Sequence, residues 1–202
     1  SVVLFLTIII RYFSSKINHL LWQSLNFYPW KLEIDVEKTR TLYDKKSFAV
    51  DEEANRILIS KLTKEQRTFL DSLGVDSAKI QVHKKEYDLS EEECGEDELH
   101  SLEVAFLLCG KFLAAPADQI EMYKDEDIYG RNMVPEDLDI EIVDTDELFT
   151  SIEFGIGLRF KHPISHFEGD EYTNWECGYV CGSTIFYYWG HSAWFGRNAC
   201  SL

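Results

Sequence analysis

Leu102 to Leu113 is a nearly continuous apolar run, interrupted by Gly110-Lys111. A run of this length without a helical period reads as a strand at the centre of a sheet. The rest of the chain supplies elements to surround it. Leu32 and Ile34 mark a short strand, and Asp35 caps a predicted helix through Val36, Thr39, Leu42 and Tyr43. Thr63-Lys64-Glu65-Gln66 is a capping box, opening a helix that buries Phe69, Leu70 and Leu73 and stops at Gly74. Lys79 to Tyr87 alternates, with Ile80 and Val82 on one face. Pro116 and Asp118 open a short helix ending near Lys124. Leu138, Ile140 and Ile142 alternate with Asp139 and Glu141, and Ile152, Phe154, Ile156, Leu158 and Phe160 alternate with polar residues and glycine. Turn chemistry at Asp144 to Glu147 predicts that these two form an antiparallel hairpin. Pro163 ends the second strand, and Cys177 to Tyr188 supplies one more. Strands joined by turns predict an α+β fold, mainly an antiparallel sheet with helices packed on one side.

The charge is unevenly placed. Residues 86–150 hold 21 Asp and Glu against 3 Lys and Arg, in a chain whose formal net charge is −16. Such a block attracts basic partners and repels nucleic acid and anionic membrane. Residues 172–195 are the opposite, dense in aromatics and nearly free of charge. They have to be covered by the fold, by a partner or by a membrane.

Val2 to Ile10 is apolar but for Thr7 and is followed by Arg11 and Lys16. That is about half the length of a spanning helix, and the charge lies on the wrong side for a signal peptide. Residues 1–30 are therefore read as an N-terminal apolar extension forming a helix: a truncated membrane segment, a spurious start, a genuine anchor or a cleaved signal. In the anchored reading Arg11 and Lys16 put the remainder on the cytoplasmic side. Residues 31–202 are expected to form a single α+β domain. The five cysteines, Cys94, Cys109, Cys177, Cys181 and Cys200, are odd in number and dispersed. They favour a reducing, cytoplasmic setting over a disulfide framework.

Two constellations have metal-ligand spacing. His162, His166, Cys177 and Cys181 make a His2Cys2 set for zinc, with ten residues between the pairs. Residues four apart on a strand stand about 13 Å apart, so this set requires a turn at Gly178 to Cys181. The bland alternative is two surface histidines and two buried or oxidisable cysteines. Asp125, Asp127, Gly130 and Glu136 match calcium-loop positions, but Tyr129 and Asn132 depart from the template. No G-x-S-x-G elbow, phosphate loop or H-E-x-x-H occurs, so the expectation is no enzyme and no cofactor other than zinc. The remaining candidate is the acidic block, either a solvated face or a docking surface. Asp139, Glu141, Asp144, Asp146 and Glu147 would line one hairpin able to meet a basic protein, with aromatics near the C-terminus as apolar anchors.

Lys31 to Tyr43 (KLEIDVEKTRTLY) and Phe69 to Asp76 (FLDSLGVD) resemble the opening of an uncharacterised group of small acidic bacterial proteins. The match covers about a quarter of the chain, and the cysteine cluster that group carries after the equivalent of Tyr43 is absent. The resemblance implies a bacterial, immunity-type or accessory protein and brings no functional residue with it.

Overall fold

The apolar run does become the spine of the molecule. The computed structural model describes residues 22–87, 97–124, 140–144, 156–162, 167 and 178–191. Seven strands among them, β1 (Trp22–Phe27), β2 (Trp30–Asp35), β3 (Gln81–Tyr87), β4 (Asp97–Pro116), β5 (Glu141–Val143), β6 (Ile156–Lys161) and β7 (Tyr179–His191), make one sheet. The helices are α1 (Val36–Lys45), α2 (Glu52–Lys61), α3 (Lys64–Ser72) and α4 (Ala117–Lys124). The sheet path is β1-β2-β4-β7-β6, with β3 and β5 also on β4. All pairings are antiparallel except β4 with β5. The fold is therefore α+β, as the sequence predicts.

β4 is 20 residues long and works in halves. One edge pairs with β7 over residues 97–109. The other edge pairs first with β3, from Leu99 to Ala105, and then with β2, from Gly110 to Ala114. Gly110 is required by that second pairing, because a Cβ there would sit 2.5 Å from the Glu33 carbonyl oxygen.

The two ends of the sheet path meet across the core. Phe27 of β1 and Trp30 of β2 lie edge-on to Phe160 of β6, at ring-centroid distances of 5.3 and 6.1 Å. Phe160, Gly182 and Phe106 form one cross-strand row, and Phe106 occupies the space a side chain at 182 would need. The sheet is therefore curled, and Phe160 closes it. A clamp made of three aromatic side chains buries more apolar surface than any other residue types allow.

Local signals set the helices. The Asp35 carboxylate accepts from the Lys38 N–H at 2.9 Å and caps α1, while Asp51 does the same for α2 through Ala54 N–H. Thr63 and Gln66 make both bonds of the capping box on α3. Gly74 ends α3 with φ +79°, and its missing Cβ lets α1 approach, since that atom would lie 2.4 Å from the Val36 carbonyl oxygen.

Three expectations need revision or fall elsewhere. Residues 22–30, assigned from sequence to the extension, belong to the sheet: β1 pairs along its whole length with β2, and Phe27 and Trp30 are core residues. The extension boundary read at Lys31 thus lies no later than Trp22. The antiparallel hairpin does not form among the described residues, because β5 lies parallel to β4 while β6 pairs with β7. The N-terminal apolar helix lies outside the described residues. No helix among the described residues is long and apolar enough to cross a membrane. Within the aromatic segment Phe186 and Tyr188 of β7 pack against the core, whereas Tyr187 between them is exposed.

Candidate functional site

Any site on this sheet inherits its rigidity from β4, and β4 has a gap. Residues 106–109 face neither β3 nor β2 on that edge, so the N–H groups of Leu107 and Cys109 have no strand partner there. α1 fills the gap. Tyr43 Oη accepts from the Leu107 N–H at 2.9 Å, and Thr39 Oγ1 accepts from the Cys109 N–H at 3.0 Å while donating to the Asp35 carbonyl. Helix positions i and i+4 rise about 6 Å and strand positions i and i+2 about 6.6 Å, so the two hydroxyls match the two N–H groups in spacing.

Burial holds Tyr43, Cys109, Cys181 and His162 in their neutral forms. Burial pushes the Cys181 thiol up to about 12 and the Cys109 thiol up to about 11, the latter against the opposing Thr39 hydroxyl. Burial also raises the Tyr43 phenol and lowers His162 to about 4. A thiol in this state is protonated at neutral pH and a poor nucleophile. Cys109 and Cys181 are free. They lie diagonally on adjacent strands, Cys109 opposite Tyr179 and Cys181 opposite Leu107. Such diagonal positions stand about 7–8 Å apart, beyond the Cα spacing a disulfide accepts.

Of the zinc candidates, His162 and Cys181 are described, and both are buried. Lys161, not His162, lies opposite Cys181, and His162 follows one residue beyond the strand. His166 and Cys177 lie outside the described residues, as does the calcium-like loop of residues 125–136. Among the described residues no group of three or more His, Cys, Asp or Glu is placed to hold a metal ion.

Of the acidic candidates, Glu141 and Asp144 are described and exposed. Asp139, Asp146 and Glu147 are outside. Glu141 and Lys31 flank Ala114 from opposite sides and meet across it at 2.9 Å. Both partners are at least half exposed, and a pair of that kind contributes about 0–1 kcal/mol. Glu141 is thus easily drawn to another cation. Between these two acids Ile142 is 56% exposed. Its alternation with charged neighbours predicts a buried residue, and that signal misleads because β5 is only three residues long and rests on β4 alone among the described strands.

Described residues that border the acidic block lie at both ends of β4. The chain leaves the described residues at Tyr87 and re-enters at Asp97, where β4 begins, then leaves at Lys124 and re-enters at Ile140, near where β4 ends. Those anchor points are separated by up to about 60 Å of strand. Comparison with family models, with curated proteins and with solved structures finds no match for this chain.

Proposed function

We propose that this chain is a non-enzymatic cytoplasmic binding protein that docks a basic protein on the acidic edge centred on β5, in the manner of an immunity-type inhibitor. The observation that carries this reading is Ile142, an exposed isoleucine set between the exposed carboxylates of Glu141 and Asp144 on a strand fixed to the spine. An apolar anchor inside a charged rim is what a specific interface needs: the anchor supplies affinity, and the rim speeds encounter and rejects acidic partners. The neutral, inaccessible state of Cys109 and Cys181 supports binding rather than nucleophilic chemistry.

The test is capture from the source cell's lysate at low salt and at about 0.5 M, where charge acts over only about 4 Å. Wild-type protein and an Ile142→Ser, Glu141→Lys, Asp144→Lys variant are compared side by side. A basic protein held by the wild type at low salt, released at high salt and lost by the variant supports docking on β5. Equal capture by both proteins moves the interface elsewhere, and no stoichiometric partner reduces the acidity to a solubilising role.

A further inference from the structure

Lys161 ends β6 half-buried, and Arg159, two positions earlier on the same face of the strand, is exposed. Lys161 lies opposite Cys181 of β7, which lies opposite Leu107 of β4, and both of those residues are fully buried. The lysine stem therefore rests on an apolar floor. Among the described residues neither Lys161 nor Arg159 forms an ion pair or a side-chain hydrogen bond. A half-buried ammonium without an acceptor is unfavourable. Burial lowers the pKa of Lys161 below the ordinary lysine value, and the like charge of Arg159 acts in the same direction. The opposing groups hold little charge for it. The Cys181 thiol is protonated at neutral pH, and Glu103 of β4, four residues from Leu107, has its carboxylate paired with Lys85 of β3.

Desolvation and a neighbouring cation are the two conditions that free a lysine lone pair for attack on a carbonyl. We propose that Lys161 is a covalent capture site for small carbonyl compounds that carry a carboxylate, with Arg159 holding the carboxylate. Positions i and i+2 of a strand stand about 6.6 Å apart on one face, a gap that two long side chains close around a small oxo acid. The step balances without an oxidant or a reductant. The lone pair of the neutral amine forms the C–N bond as the carbonyl π pair moves to oxygen. Both amine hydrogens then leave with that oxygen as water, and an imine remains. The exposed guanidinium, which no acid of the described residues occupies, is free to accept the carboxylate in a bidentate pair. This site goes beyond docking at β5 and does not depend on it.

Reductive trapping on the full wild-type chain tests this, so no variant has to fold for the first result. The protein is incubated at neutral pH with glyoxylate and cyanoborohydride, which fixes the imine as a secondary amine, and the modified lysines are located by peptide mass spectrometry. Lys161 should be modified several-fold faster than the exposed lysines Lys38 and Lys64. Modification of Lys161 no faster than these overturns the proposal and leaves an ordinary lysine lying along an apolar surface. The role of Arg159 is read from a ratio. Arg159→Gln should slow trapping of glyoxylate at Lys161 more than trapping of propanal, which has no carboxylate. An unchanged ratio of the two rates overturns the assignment of Arg159 as the carboxylate holder.

Discussion

Thr39 and Tyr43 each spend a hydroxyl on a buried backbone N–H that no strand reaches. Tyr43→Phe keeps the ring and its edge-on contact with Phe48 and leaves the Leu107 N–H unpaired. The expected loss is about 1–3 kcal/mol, the cost of a stranded buried donor, read from urea unfolding. Thr39→Val should cost a similar amount through Cys109, and more than an exposed control such as Thr68→Val. His162 sets a pH limit of its own. Its ring is buried neutral and has to be exposed before it takes a proton. Its contribution is complete above about pH 6.5, the ordinary value for an unfolded ring, and drains away as pH falls toward about 4. The wild type should lose roughly 3 kcal/mol more than a His162→Leu variant across that window. Parallel pH profiles for the two proteins would show that the ring is protonated in the folded state.

Between elements, the vulnerable contacts are the ones made by backbone or by a single clamp. Gly110→Ala pushes a methyl group against the Glu33 carbonyl, which cannot move without unpairing β2 from β4. Phe160→Ala removes the residue on which both ends of the sheet path rest. The expected costs are about 1–3 kcal/mol for the first and about 3–5 kcal/mol for the second, measured by denaturant titration. Gly110→Ala with wild-type stability would mean that the pairing tolerates a shift. What the sequence makes legible here is local. The caps at Asp35 and Thr63, the stop at Gly74 and the strand character of residues 102–113 are each set by a few neighbouring residues, and all hold. α2 was open to the same reading, since Asp51 precedes Ala54, Leu58 and Leu62 at four-residue spacing, but Ile57 and Ile59 blur that stripe. The hairpin fails for a different reason. Two alternating segments and a turn between them specify that strands exist, whereas the partner of each is chosen by residues far away, Ala114 for β5 and Gly182 for β6.

For the molecule as a whole, a net charge of −16 works against compactness through self-repulsion. Raising salt from about 0.01 M to about 0.5 M shortens the reach of that repulsion from about 30 Å to about 4 Å. The melting temperature should therefore rise with salt even as exposed pairs such as Lys31–Glu141 weaken. A fall in melting temperature would show that ion pairs outweigh the surplus.

The gap in β4 has a final consequence, in what the molecule refuses to bind. A stretch of strand with open N–H groups inside a sheet is a template on which any extended chain can nucleate, and a route to aggregation. A third strand inserted there would close the gap but would itself need an outer neighbour. The hydroxyls of α1 close it with side chains that end in a helix, and a helix offers no further edge. Growth stops at Thr39 and Tyr43, so the spine is insulated from strand addition at its own midpoint, and extension is confined to the ends where the chain carries its charge.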